Sequence, residues 1–467
     1  MNDSCEFDLL CIGSGPAGQR SAVQGAKLGY RVGLVERRRS LGGVCLDTGT
    51  IPSKTFREAI LSFAGSGGVF DRRPSRAESR PTAAQLLGRV TQVVAQEGEI
   101  IEQQMRRNGV EVIAGEASFK DPHTMVVRTD GAWREVTARN VVLAVGTVPA
   151  PAPGTGGNGD GDVLLTSDDV LGITQLPRSM SVVGAGVIGI EYASMFAALG
   201  VDVTLVEKRR QPLEFLDEEL VHELMHQLRR RNVTFRLGET VERLEVSEGP
   251  PRRAVIHLES GKRIVSDMAL FSVGRNGATA SLGLEAAGLT ADVRGRVAVD
   301  EHYRTAVPHI FAVGDLIGFP SLAATSSEQG RLAACHALGH PAPRMGTHFP
   351  VGIYAIPEIS MVGATERELT EAKVPYEVGV ARYREIARGQ ILGDDSGFLK
   401  MLFHRDDRRL LGVHIMGTGA TELLHIGQVV LGLGGGLDYF LQTVFNYPTL
   451  AECYKVAALN ASNKLAV

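Results

Sequence analysis

The sequence predicts an α/β protein built on a duplicated strand–helix–strand unit, followed by a C-terminal region of mixed α+β type. Residues 8–37 (DLLCIGSGPAGQRSAVQGAKLGYRVGLVER) align without gaps on residues 179–208 (SMSVVGAGVIGIEYASMFAALGVDVTLVEK). The offset is constant at 171, so Gly13, Gly15, Gly18 and Glu36 fall on Gly184, Gly186, Gly189 and Glu207. Each copy reads as an apolar run, a glycine turn, a helical pattern, a glycine and a second apolar run ending in glutamate, which is the pattern of a βαβ unit. After about residue 345 the texture changes to strand-like runs such as FLKMLFH and LLGVHIM, followed by helical patterns. That change predicts a further α+β domain.

Composition bounds the class. A length of 467 residues corresponds to about three domains, and a hydrophobic share of 44% suits a soluble globular protein. A formal net charge of −4 offers no electrostatic footprint for nucleic acid. The opening residues MNDSCEFDLL carry early acids and a short apolar stretch, unlike a secretion signal. No run approaches the roughly 20 apolar residues that a membrane span needs. A cytoplasmic location is the expectation. Cys5, Cys11, Cys45, Cys335 and Cys453 are few and scattered, which argues against a disulfide framework. Nothing has metal-ligand spacing, so no metal is expected. The 55 glycines exceed the usual share of about 7%. Two stretches, near Gly65–Arg80 and at Pro149–Asp162, read as surface loops or linkers.

The glycine turns carry the chemistry. In a G-x-G-x-x-G turn the first glycine permits the bend, the second admits a pyrophosphate to the backbone, and the third lets helix and strand pack closely. The helix N-terminus then offers free N–H groups and a partial positive charge to phosphates. An acid about 20 positions later accepts hydrogen bonds from ribose hydroxyls. Here the acid stands 23 positions after the first glycine in both copies. One such turn is a weak signal, whereas two in the same context imply two dinucleotides. The glycines alone leave open which unit takes which ligand. In Thr305–Asp315 (TAVPHIFAVGD) an aspartate closes an apolar strand directly after Gly314. Asp315 there can hydrogen-bond a polyol, and taken alone it could equally be a turn residue.

With these pieces in order, the chain resembles the two-dinucleotide-binding flavoprotein family that includes dihydrolipoamide dehydrogenase and glutathione reductase. The likeness runs through AVGTVP (144–149), FSVGRN (271–276), FAVGD (311–315) and PEISMVG (357–363). It implies two Rossmann-like dinucleotide-binding domains, for FAD and NAD(P), and a C-terminal α+β dimerisation domain forming a homodimer. The expected division is residues 1–150 and 273–345 for FAD, 151–272 for NAD(P), and 346–467 for the interface. By the same resemblance Gly13, Gly15, Gly18, Glu36, Gly42, Gly43, Gly146, Arg275 and Asp315 would hold cofactor, with Asp315 on the ribityl chain. Gly184, Gly186, Gly189 and Glu207 would hold NAD(H) or NADP(H).

The segment GGVCLDTGTIPSK (42–54) sits where this family carries its redox disulfide, written C-x4-C-x-x-P-x-K. Cys45 stands at the first position, but Thr50 stands at the second, and a hydroxyl forms no disulfide. The family's catalytic histidine, in an H-P-T-x-x-E segment, is replaced by Tyr447, whose ordinary pKa near 10 makes a poor thiol base. Lys54 and Glu191 match the lysine and glutamate that the family pairs beside the flavin; Cys45 would pack there or tune the ring. Tyr447 would either approach the partner's flavin or simply pack. Within the family the chain is similar to the soluble, Si-specific NAD(P) transhydrogenase branch. The likeness lies in Thr50, in ARGQILGDDSGFLKMLFHRDDRRLLGVHIMG (387–417) and in FNYPTLAECYKVAALN (445–460). It implies ping-pong hydride transfer between NADPH and NAD through flavin N5. Glu207 would favour NAD and repel a 2′-phosphate, and Lys208, Arg209 and Arg210 would offset that repulsion. The rival readings are a flavin-dependent NAD(P)H oxidase or quinone reductase, and a low-turnover nucleotide-binding redox sensor.

Overall fold

The computed structural model describes residues 5–63, 81–154 and 160–465. The Gly65–Arg80 loop expected from sequence lies outside these residues, as do residues 155–159 of the Pro149–Asp162 stretch. The chain divides into two compact units. One comprises Met1–Phe56, Leu87–Ala150 and Gly274–Met345, and the other Arg57–Leu86, Pro151–Val273 and Gly346–Val467.

In the first unit the strand Phe7–Ile12 lies between Val32–Glu36 and the end of Ala132–Leu143, parallel to both. Glu111–Ala114 extends one side and Ile310–Ala312 the other, again in parallel. Every residue of Val32–Glu36 is buried, as befits a parallel strand covered on both faces. The strand order reverses beside Phe7–Ile12, which puts the first glycine turn at a topological switch point where such sheets bind ligands. The helix Pro16–Lys27 follows, with Gly15 as its N-cap and Pro16 opening it, where a missing N–H costs nothing. It packs closely on the helix Ala323–Ala337: Ser21 Oγ donates to Gly330 O at 2.9 Å. A Cβ at Gly330 would lie 2.1 Å from Ala17 O. Glu116–Asp121, Thr124–Thr129 and the start of Ala132–Leu143 form an antiparallel meander on the same sheet.

The second unit repeats this plan. Its five-stranded parallel sheet runs Val233–Leu237, Asp202–Glu207, Ser179–Val183, Met268–Phe271 and Leu164–Thr166. The helix Val187–Ala198 has no polar stripe and is buried from Gly189 to Ala197, so it lies inside the unit rather than over it. Residues beyond 346 form a five-stranded antiparallel sheet in the order Val351–Ile353, Ile359–Gly363, Leu410–Met416, Phe398–His404 and Tyr376–Arg382. The helices Ala420–Gly432 and Glu452–Leu465 supply the other half of its core, which includes Met401, Phe403, Val413, Phe440 and Tyr454. The architecture is two Rossmann-like domains with a C-terminal α+β domain. No helix among the described residues is long and apolar enough to cross a membrane.

Of the two readings of Asp315, the turn is the one observed: the strand stops at Ala312, and Asp315 belongs to a 3-10 turn, Gly314–Ile317, just beyond its C-terminal end. Gly314 adopts φ +76° and donates its N–H to Gln329 Oε1 at 2.8 Å. That bond draws the backbone out of the ladder.

Candidate active site

The two glycine turns are built alike. Gly13 and Gly184 adopt φ of +98° and +99°, a region costly for any residue with a Cβ. A Cβ at Gly18 would lie 1.8 Å from Gly13 O, and one at Gly189 would lie 1.9 Å from Gly184 O. A Cβ at Gly15 or Gly186 would meet nothing within 4 Å. The middle glycine of each turn therefore faces open space at a helix N-terminus, where an anion is favoured.

In the first unit a cleft has Gly13, Gly15, Glu36 and Gly43 in its walls, and Cys45, Thr50, Gly146 and Asp315 face it too. Glu36 is 6% exposed. Its Oε2 accepts from Ser14 N at 2.9 Å and Ser14 Oγ at 2.5 Å, and its Oε1 from Arg38 N at 2.8 Å. A carboxylate has about four lone-pair sites, so one remains for a ribose hydroxyl. Gly42 donates its N–H to Ser14 Oγ at 3.0 Å, which ties the 42–54 segment to the turn.

Cys45 lies in the short helix Gly43–Asp47, and Thr50 opens the helix Thr50–Phe63. Thr50 and Cys45 face the same cleft. Burial raises the Cys45 thiol above its ordinary value, and Asp315 adds to this; the neighbouring Thr50 side chain and the Lys54 charge pull the other way without prevailing. Cys45 is therefore a thiol, not a nucleophilic thiolate. Lys54 is half-buried with Nζ 3.4 Å from Ser53 Oγ. Arg275 donates from Nε to Thr147 Oγ1 at 2.9 Å and from Nη2 to Thr147 O at 3.0 Å, and its charge acts on Asp315.

In the second unit Glu207 is 7% exposed. Its Oε2 accepts from Ala185 N at 2.7 Å and Arg209 Nη2 at 3.2 Å. Its Oε1 accepts from Arg209 N at 2.9 Å and Arg209 Nε at 3.0 Å. Burial pushes the Glu207 carboxyl up, but these bonds outweigh it and hold it below the usual range. Lys208 and Arg210 are exposed beside this pair. Glu191 is buried, past the first turn of its helix, and accepts from Tyr354 N at 2.8 Å.

Residues 7–330 match the family described as pyridine nucleotide-disulphide oxidoreductase, and residues 349–458 match that family's dimerisation domain. The chain belongs to the pyridine nucleotide-disulphide oxidoreductase family. Among relatives in this family, the soluble pyridine nucleotide transhydrogenase of Mycobacterium bovis (strain BCG / Pasteur 1173P2) is 52% identical over 464 residues, covering 98% of each chain. A protein of the same name from Chromohalobacter salexigens is 44% identical over 467 residues, covering 98% of this chain and 99% of its own. Among solved structures of similar fold, the HOCl-induced flavoprotein disulfide reductase RclA from Escherichia coli superposes with a TM-score of 0.87 at 26% identity. It covers 97% of this chain and 99% of its own.

Of the residues named from sequence, the structure gathers Gly13, Gly15, Glu36, Gly43, Cys45, Thr50, Gly146 and Asp315 about the one cleft. Gly18, Gly42 and Arg275 support the same unit from behind that lining. Gly184, Gly186, Gly189, Glu207, Arg209 and Arg210 share the second turn. Sequence reasoning missed Ser14 and the pairing of Arg209 with Glu207. The first was detectable, because Ser14 and Ala185 are equivalent positions that differ; the second depends on side-chain conformation.

Proposed function

We propose that this chain transfers hydride between NADPH and NAD with FAD as its resident cofactor. FAD is assigned to residues 1–150 and 273–345, nicotinamide nucleotides to 151–272, and a homodimer interface to 346–467. The observation that carries this reading is Thr50, facing the same cleft as Cys45, where a disulfide relay requires a second sulfur. Relatives named as transhydrogenases, alike over nearly the full length, support the same substrates. Exposed apolar side chains at Val429, Leu433, Val444 and Tyr447 support a partner on the C-terminal domain.

FAD, when bound, would supply the two-electron chemistry that passes hydride between the two nicotinamide nucleotides. The chain's own residues bind and orient. The open face at Gly15 and the N-terminus of Pro16–Lys27 suit a pyrophosphate. The free site on Glu36 suits an adenosine ribose, and Asp315, half-buried in the cleft wall, suits a polyol hydroxyl. Lys54 acts electrostatically on Cys45, which brings a positive charge to the redox end of the cleft, where it favours an anionic ring. Glu191 is assigned the orienting carboxylate. Cys45, a protonated thiol, packs rather than reacts.

Anaerobic stopped-flow spectroscopy tests this. Flavin bleached by one equivalent of NADPH should regain its yellow absorbance when NAD is added. Recolouring only on admission of oxygen or a quinone would instead make the protein an oxidase or quinone reductase. Brisk turnover of lipoamide or glutathione disulfide would also overturn the proposal.

A further inference from the structure

The duplicated units differ in what neutralises their ribose-end acid. In the first, Ser14 supplies a hydroxyl to Glu36, and the equivalent of Arg209, which is Arg38, turns its guanidinium to Asp47. Arg37 is likewise drawn to Glu116 at 3.6 Å. Glu36 thus keeps its charge and a vacant lone pair, as suits an unphosphorylated ribose. In the second unit Ala185 replaces Ser14, so no hydroxyl reaches Glu207, and Arg209 chelates the carboxylate instead. Four donors then occupy the four lone-pair sites of Glu207. No ribose hydroxyl can be accepted there until Arg209 gives way. The weakest of the four is the 3.2 Å bond from Arg209 Nη2. Arg209 is 46% exposed and is otherwise engaged only at 3.8 Å by Glu214 among the described residues, so its guanidinium is free to swing. Lys208 and Arg210, also exposed, carry no ion pair among the described residues.

We propose that Arg209 is an exchangeable cap on Glu207 that lets one subsite take both nucleotides. With NAD(H), Arg209 keeps its hold on Oε1 and yields the Nη2 bond, so that Glu207 Oε2 accepts a ribose hydroxyl. With NADP(H), the whole guanidinium transfers to the 2′-phosphate, a better bidentate acceptor, and Lys208 and Arg210 balance the carboxylate and phosphate left together. Ala185 makes the exchange workable, because a serine there would hold Glu207 as Ser14 holds Glu36. This deepens the transhydrogenase reading and rests on it for the claim that one unit takes both substrates.

The test uses the oxidised holoenzyme and two fragments without nicotinamide, adenosine 2′,5′-bisphosphate and ADP. Calorimetry on Arg209→Gln should show bisphosphate binding weakened roughly tenfold or more, as loss of a charge-assisted bidentate contact implies. ADP binding should change by less than about threefold, since only a cap is lost. Glu207→Gln, which releases Arg209, should tighten the bisphosphate and weaken ADP. Crystals grown with each fragment should show Arg209 on Glu207 with ADP and on the 2′-phosphate with the bisphosphate. Arg209 still chelating Glu207 beside bound bisphosphate, or equal weakening of both fragments, overturns the proposal. Because neither fragment carries hydride, a protein without NADPH-to-NAD turnover would sink the transhydrogenase reading and leave this measurement intact.

Discussion

Burial raises the carboxyl of Asp315 above its ordinary value, and the Arg275 charge and a 3.4 Å bond from Ser326 Oγ offset only part of that shift. A raised native value means stability is full below the unfolded value and is lost as pH rises through the native one. The flavin-free fold is thus weakened by a charged Asp315 at neutral pH. Asp315→Asn should stabilise flavin-free protein by about 1 kcal/mol near neutrality, and the gain should vanish in acid, where Asp315 is protonated. Its FAD affinity should fall about tenfold if the carboxylate accepts a polyol hydrogen bond. Thermal melts across pH and flavin titration check both; identical melts at neutral pH would refute the first. Thr50 offers a second handle. Because it faces the same cleft as Cys45, at the second position of the family's disulfide motif, Thr50→Cys should form a disulfide, seen as two thiols fewer in a denaturing titration before and after reduction. Lipoamide turnover should stay near background, since Tyr447 still stands where the thiol base belongs. A variant that turned over lipoamide at an ordinary enzyme rate would show that the missing sulfur alone had set the chemistry.

Glycine turns and their helices are the elements that sequence displays best. Phe7–Ile12, Pro16–Lys27 and Val32–Glu36 correspond to Ser179–Val183, Val187–Ala198 and Asp202–Glu207, as the gapless repeat predicts. The helix Val187–Ala198 shows why the repeat mattered. It is buried on every side from Gly189 to Ala197, Glu191 and Ser194 included, so no apolar stripe alone would have separated it from a buried strand. The meander Glu116–Leu143 lies outside the duplicated segments, as does the antiparallel meander Val241–Ser266 of the second unit, and neither was anticipated. The apolar run before Asp315 left a strand end and a turn both open, and the turn is accompanied by a bond from Gly314 to a glutamine fifteen residues away. At this scale Gly189→Ala should cost about 1–3 kcal/mol, because the added carbon lies 1.9 Å from a backbone oxygen and 2.8 Å from Ser272 Oγ. It should abolish flavin reduction by NADPH while flavin content stays normal. Normal reduction in that variant would mean that helix and strand can part without disturbing the nucleotide.

Across the second compact unit, the Rossmann-like domain and the C-terminal domain are joined by a buried charge cluster. Lys400, 1% exposed, bonds Asp217 Oδ1 at 2.8 Å and Glu366, with Glu219 at 3.3 Å. Burial alone would raise the Asp217 carboxyl and lower the Lys400 ammonium. Their bonds and charges prevail, so Asp217 sits below and Lys400 above the ordinary values. The stabilisation from Asp217 is present above its unfolded value and lost as pH falls through its depressed native one; that from Lys400 is present below its unfolded value and lost as pH rises through its elevated one. His414, fully buried with its value lowered first of all by burial, adds to the acid-side loss. Lys400→Met should destabilise by about 3–5 kcal/mol at neutral pH, because it strands the buried Asp217 carboxylate. The deficit should shrink near pH 4, about where carboxylates protonate. Calorimetry at both pH values checks this, and a pH-independent deficit would point to packing instead.

The chain by itself determined the duplicated βαβ plan, the two phosphate-facing turns, the family and the substitution of Thr50 for the second sulfur. All of these rest on local spacing or on residue type, which no tertiary contact can alter. Only the folded structure decided that Asp315 sits in a turn, that Cys45 stays a protonated thiol, and that Arg209 caps Glu207 while Arg38 turns to Asp47. Those outcomes depend on burial and on competition among charges brought together from distant positions or among rotamers of neighbouring ones, and neither is written in a spacing.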